Sequence, residues 1–226
     1  MAWMCKPAHG YEENSDEAKQ NMFEFKRCME SEWTIYAIAG ALGNIAHESA
    51  FNPWRWQGDK VNYRMGYGLV QFTPASGYIN GFDNYANLST SGVSGGRPED
   101  GDCQCAVLIN DGMGKWQDRA YKNHWYDLSG YADFSAFKQV DNLYDATMAF
   151  LFNYEGNGAV QSEDEARQRE DFEGRYASAL NCYEILTGSE PPDPPTPPDP
   201  PTPPTPPTPT QRSGWGVFEY LGLLYR

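Results

Sequence analysis

Three histidines, and five cysteines with no Cys-x-x-Cys pair, leave this 226-residue chain poorly supplied for a zinc centre. Basic residues are short as well: 17 Lys and Arg face 31 Asp and Glu, for a net charge of −14. Phosphate binding needs clustered Lys and Arg, so this balance argues against a nucleic-acid partner. No stretch approaches ~20 apolar residues, so no membrane span is expected. Residues 1–10 lack an apolar h-region, so no secretory signal is expected. An odd cysteine count cannot close a full disulfide set, and free thiols at Cys5, Cys28, Cys103, Cys105 and Cys182 are the plainer reading. Cys103-x-Cys105 is too closely spaced, and lacks a second pair, for a usual zinc site. No metal and no cofactor is expected.

Glycine is absent from residues 191–210, where 13 of the 17 prolines lie in a Pro-Pro-x repeat. Collagen is thereby excluded, and the period of three fits polyproline II. A stiff linker over 188–212 is expected, reaching ~60 Å if fully extended. Residues 213–226, with Trp215, Phe218, Tyr220 and Leu221, are too few for a domain and read as a docking segment. Residues 1–187 are long enough for one domain with a core.

Within that domain the periodicity predicts helices over 14–31 and 34–49, and again near 103–112, 133–139, 141–153 and 163–187. Ala18, Met22, Phe25 and Met29 make an apolar stripe on the first. The second is rich in small residues, Ala37, Gly40, Ala41 and Gly43, which let another helix approach closely. Residues 54–74 are aromatic and turn-rich and fit a small β-hairpin wing, and 88–102 read as a loop. The expected class is α+β, mostly α.

Ile35, Ile38, Leu42 and Ile45 lie three, four and three apart, on one face of the second helix. Glu48 continues that face, and Asn52-Pro53 stops the chain from continuing as helix. A carboxyl against apolar walls favours its protonated form and can serve as a general acid. Gly66-Tyr67-Gly68-Leu69-Val70-Gln71-Phe72-Thr73-Pro74 begins eighteen residues later. Its glycines allow tight turns, and Gln71 carries both a donor and an acceptor. His47 is adjacent to Glu48, but neighbouring helix residues point about 100° apart, so it is read as a surface or packing residue.

Glu48-Ser49, then Asn52-Pro53, then Gly68-Leu69-Val70-Gln71 resemble, in this order, the lysozyme and lytic transglycosylase superfamily. The closer resemblance is to the phage tail lysozymes, over roughly residues 18–187. Asp100-Gly101-Asp102 with Gln104, and Ala149 to Glu155 followed by Arg167, are similar to later stretches of that family. Cys103 and Cys105, flanking Gln104, are a departure from the pattern.

The resemblance implies a lysozyme-like domain that cleaves peptidoglycan glycan strands, with Glu48 as the acid and the Gly-Leu-x-Gln turn as the cleft floor. It implies a muramidase carried on a virion tail, made in the host cytoplasm and joined to other tail proteins through the linker and residues 213–226. The acidic surface fits such tethering, because a free lytic enzyme drawn to anionic walls would more often be basic. Tyr67, Gly68, Leu69 and Gln71 are expected to position substrate, and Trp54, Trp56, Tyr67 and Phe72 are candidate sugar platforms. Aromatic cores are the commoner use of such residues. Asp59 is the candidate second carboxylate, with a turn-forming Asp as the alternative reading. Glu155 is another candidate, or packs under the cleft against backbone or Arg175. Without a second carboxylate, the sugar's own 6-hydroxyl can finish the reaction as in a lytic transglycosylase. Two other classes are a non-catalytic tail component and a cysteine peptidase or amidase using Cys103 or Cys182 with His124, which lacks a recognisable nucleophile context.

Overall fold

The computed structural model describes residues 2–116, 133–155 and 171–190. The expected linker from 191 onward, the docking segment 213–226, the start of the expected 163–187 helix, Arg167 and His124 lie outside them.

Helix α1 (Asp16–Met29) begins where the Ser15 side chain accepts from the Ala18 N–H, with Asp16 and Glu17 in its first turn and Lys26 and Arg27 in its last. Both ends therefore suit the helix dipole. Ala18, Met22, Phe25 and Met29 are fully buried, as the stripe predicts. Helix α2 (Ile35–Glu48) is capped by Thr34, whose hydroxyl accepts from Ala37 N–H and donates to Val140 carbonyl at 2.6 Å. Its residues from Ala37 to Ile45 are all buried, which makes it the central helix. Ala50 and Phe51 take positive φ, and the chain turns sharply away after Glu48.

Helices α3 (Ala75–Gly81), α4 (Asp100–Leu108), α5 (Phe134–Lys138), α6 (Leu143–Ala149) and α7 (Phe172–Thr187) surround this core. Helix α2 packs mainly against α7 and α6. Gly40 lies against Ala146 and Thr147 of α6, and Gly43 lies against Arg175 and Ala179 of α7. The small-residue stripe on α2 thus sets two close helix crossings. After Ala149, α6 widens into a π-helical turn over Phe150–Tyr154. Such turns accommodate one extra residue and are frequent at functional sites. Trp33 closes the other end of α2, edge-on to Phe25, Phe134 and Phe137.

Three expectations change. Among the described residues the wing is not a hairpin: two isolated antiparallel bridges, Trp56 to Tyr67 and Tyr67 to Phe72, replace it. The cause is local: Gly58, Asp59, Gly68 and Gln71 all have positive φ, which breaks the two-residue alternation a ladder needs. Helix α3, absent from the sequence reading, follows Pro74 and buries Ala75 and Tyr78. Helix α4 starts at Asp100 rather than near residue 103.

The N-terminal segment is also part of the fold. Trp3 is buried and donates to Asp102 at 2.9 Å. The Asn21 side chain bonds the backbone of Met4 at both ends and the Phe51 carbonyl, and the Asn52 amide donates to the carbonyls of Lys6 and His9. These two buried asparagines tie residues 2–11 behind the loop that follows α2. Among the described residues no helix is long and apolar enough to cross a membrane.

Candidate active site

Glu48 is the last residue of α2, and its side chain is 22% exposed. It reaches α7, where Arg175 Nη2 donates to its Oε1 at 2.8 Å. Arg175 Nη1 donates to Asn44 Oδ1 at 3.1 Å, and the Asn44 amide in turn donates to the carbonyls of Gly40 and Thr147. Asn44 lies four residues before Glu48, one helical turn away on the same side. Arg175 therefore spans the last turn of α2 and fixes the carboxyl from α7. The sequence reading named Arg175, or backbone, as a packing partner of Glu155; in the structure Arg175 bonds Glu48.

Glu155, half-buried as a residue, stands at the end of the π-helical turn. Its Oε1 is shut from solvent and has no hydrogen-bond partner. Burial, and then the negative charge of Glu48, push its pKa up to about 8, against the opposing charges of Arg175 and Lys115.

The Gly66–Pro74 turn is fastened to the loop after Glu48 by Gln104. Gln104 Oε1 accepts from Leu69 N–H at 2.7 Å, and its Nε2 donates to Pro53 carbonyl at 2.7 Å and to Asp100 at 2.8 Å. Gly68 has φ +85° and passes so close to Gln104 that a Cβ would come within 2.4 Å of its Oε1. Asp100 is fully buried and accepts from the hydroxyls of Tyr67 (2.9 Å) and Tyr78 (2.6 Å) as well as from Gln104. Burial raises its pKa to about 6 while these donors hold it down. The residues Asp100 and Gln104, one helical turn apart on α4, give physical meaning to the Asp-Gly-Asp and Gln motif. They position the turn from behind.

Asp100→Asn leaves all three donors without a charged acceptor and faces at least one of them with an amide donor. The expected cost is about 1–3 kcal/mol, read as a lowered urea midpoint. Because the folded value of Asp100 is raised, its ionisation lowers wild-type stability as pH climbs from the unfolded carboxylate range through about 6. The gap between wild type and Asp100→Asn should accordingly narrow over that window.

The remaining predicted residues divide. Trp56, Tyr67 and Phe72 are fully buried, and Trp54 is 5% exposed, so the structure places the candidate platforms in the core. Trp56 is anchored by its indole N–H to Asn87 carbonyl and is tilted against Tyr67, and Phe72 stacks on Tyr78. Leu69 is buried beneath the turn. Gln71 donates to Gly68 carbonyl at 2.8 Å and keeps a buried Oε1 with no partner. Asp59 is 28% exposed and occupied: Arg55 Nε pairs with Oδ1 at 2.8 Å, His9 Nδ1 lies 3.1 Å from Oδ2, and His9 N–H donates to Oδ1. Arg55 in turn offers its carbonyl to Gly68 N–H, so the Asp59 clamp and the turn share one residue. His47 turns toward α7, 3.4 Å from Asp171. All five cysteines are free thiols, with Cys105 and Cys182 buried.

The chain is 52% identical over 52 residues to Morphogenesis protein 1 of Bacillus phage B103, an alignment covering 23% of this chain and 14% of that relative. The sequence pattern of the phage tail lysozymes matches residues 19–186, which include Glu48, the Gly66–Pro74 turn, the Asp100 and Gln104 support and Arg175. A match over most of the chain, with its central motifs gathered around the end of α2, makes this protein a member of the phage tail lysozyme family.

Proposed function

We propose that the chain is a bacteriophage muramidase that cleaves the β-1,4 bond between N-acetylmuramic acid and N-acetylglucosamine in peptidoglycan. Glu48 is its general acid. The observation that carries this reading is Gln104, which binds the loop after Glu48 to Leu69 of the turn. The carboxyl and the expected cleft floor are thereby held as one unit. In this reading Tyr67, Gly68, Leu69 and Gln71 position the sugar's N-acetyl group or a water. Trp54, Trp56 and Phe72 support that surface from within. Asp59 acts as second carboxylate once the His9 contact opens. The enzyme belongs to the virion tail and acts on the bacterial wall. Residues 188–212 and 213–226 form its tether to other tail proteins, a placement that agrees with the morphogenesis name of its relative.

Loss of turbidity on purified walls, with mass spectrometry of the fragments, tests this. Reducing-end muramic acid supports the proposal, free amines mean an amidase or peptidase, and unchanged walls mean a structural component. A second reading, lytic transglycosylase, is favoured by one observation: both Asp59 oxygens are already engaged. Asp59→Asn decides between the two. On the hydrolytic reading it approaches the ~10²–10⁴ loss expected for removing an essential acid–base group. A loss under about tenfold, with anhydro products, assigns the reaction to the sugar's own hydroxyl.

A further inference from the structure

The residues expected as sugar platforms are buried, yet one aromatic beside them is not. Tyr63 is 40% exposed, and Val61 and Met65, two residues to either side, are 38% and 39% exposed. All three stand on the loop between Asp59 and the Gly66–Pro74 turn. That loop is pinned at several points. Gln57 N–H donates to Gly66 carbonyl and Gly66 N–H donates to Gln57 Oε1, each at 2.9 Å, which closes its base. Asn62 shapes its tip by accepting from Arg64 N–H at its Oδ1 and from Met65 N–H at its carbonyl. The carbonyls of Tyr63 and Met65 accept from Ser76 and Ala75 at the start of α3, at 2.9 and 2.8 Å. The Tyr63 ring lies 5.7 Å from the buried Trp56 ring, tilted by 60°, and Trp56 is itself fixed through the Asn87 carbonyl. An exposed ring on a backbone held in this way loses little freedom when it meets a ligand. The charge is local too. Lys60 and Arg64 are exposed, and Asp59, the one acid among residues 57–66, is already held by Arg55. The loop is therefore basic, on a chain of net charge −14.

We propose that the 60–65 loop is a glycan-binding subsite, with Tyr63 as its sugar platform and Lys60 and Arg64 as the cations that receive carboxylates of the stem peptides. The assignment rests on the peptidoglycan reading above and names where that substrate is gripped beyond the bond that breaks. A pyranose ring presents a face of C–H bonds, and an aromatic ring meets it with the negative face of its π-system. The exposed side chains of Val61 and Met65 widen the apolar surface around the ring. A purely apolar partner would have no use for Lys60 and Arg64, whereas peptidoglycan joins apolar sugar faces to acidic peptides. Opposite charge across such a contact speeds encounter and selects the partner. The loop runs directly into Gly66, so the platform and the proposed cleft floor are continuous along the chain. Tyr63 is a binding residue and takes no part in bond cleavage.

The test titrates the full chain with the hexamer of N-acetylglucosamine, a neutral probe, by calorimetry. Glu48→Gln serves as the background, so that the probe stays whole. Into it are placed Tyr63→Leu, which keeps an apolar cover over Trp56 but removes the ring, and Tyr63→Phe, which keeps the ring. The expected result is a three- to tenfold weakening, to order of magnitude about fivefold, for Tyr63→Leu, with Tyr63→Phe within about twofold of the background. On purified walls, with Glu48 native, Tyr63→Leu raises KM by a similar factor and leaves kcat nearly unchanged. Lys60→Gln with Arg64→Gln leaves the hexamer within about twofold but weakens a soluble glycan fragment bearing stem peptides about tenfold at low salt, less at high salt. Unchanged affinity for that fragment overturns the role of the cations. If Tyr63 only covers Trp56, Tyr63→Leu lowers the denaturation midpoint and hexamer binding stays the same, which overturns the proposal. So does a dimer that Tyr63→Leu dissolves while hexamer binding stays, since the loop then faces a second copy of the chain. Should Tyr63→Leu not fold, amide NMR shifts of the Glu48→Gln chain under the same titration replace it: movement at residues 60–65 supports the subsite, and its absence overturns it. A wild-type chain that binds the hexamer through Tyr63 but cleaves no wall overturns the proposed reaction and leaves the subsite standing. Cleavage with unchanged KM and affinity in Tyr63→Leu overturns the subsite alone.

Discussion

Glu48→Gln should remove wall cleavage while the domain stays folded. Glutamine occupies the same volume and still offers Oε1 to Arg175 Nη2, now 2.8 Å from a carboxylate oxygen. What disappears is a deliverable proton, and general acid catalysis supplies ~10²–10⁴ of the rate. The accompanying loss of stability is smaller than the domain can tolerate. Weakening one charge-assisted hydrogen bond costs about 1–3 kcal/mol, against a typical total of about 5–15 kcal/mol. Arg175 keeps its bond to Asn44, which limits the damage further. The expected result is a protein with a slightly lowered denaturation midpoint, unchanged circular dichroism and wall-lysis activity reduced by at least a hundredfold. Activity within a few-fold of wild type would remove Glu48 from the acid role.

The helical frame was legible in the sequence because its signals are local. The Ala18, Met22, Phe25 and Met29 stripe repeats within a few helical turns, and it is buried in the structure. The candidate site was readable in the sequence as motifs, not as contacts. Glu48 and the turn announce themselves as motifs, but the partner of Glu48 stands 127 residues away on α7, where spacing says nothing about contact. The burial of the candidate platforms was hidden for a related reason. Trp56, Tyr67 and Phe72 look alike on a cleft wall or beneath it, and only the chain's path, bent by positive φ at Gly58, Asp59, Gly68 and Gln71, turned them inward. Asp100 and Gln104 were visible as a motif, but with Asp100 read into a loop their i, i+4 relation on one helix face emerges only because α4 starts at Asp100. The N-terminal segment carried no periodic signal, because it is held by single asparagine side chains and not by a repeating face.

Gly43→Val should be the most damaging single change in the helical frame, and it should act on the site through packing. A Cβ at Gly43 would lie 2.5 Å from the Arg175 carbonyl and 2.6 Å from Ala179 Cβ, both on α7. Neither neighbour is the flexible end of a side chain, so the helices must separate. Valine adds two more methyl groups at the same point. Glycine is the weaker helix former, and replacing it recovers up to about 1 kcal/mol of propensity, less for a β-branched residue. Overpacking a close crossing costs about 1–3 kcal/mol and more when backbone must move, so the loss wins. The same displacement draws Arg175 away from Asn44 and Glu48, which it bridges at 3.1 and 2.8 Å. Activity should therefore fall further than the remaining folded fraction explains. Gly81→Ala serves as the control, since nothing lies within 4 Å of its Cβ. That variant should match or slightly exceed wild type in denaturation midpoint and match it in lysis. If Gly43→Val matched the control in both measurements, α7 could not be set by the α2 crossing, and Arg175 would need another explanation for its place beside Glu48.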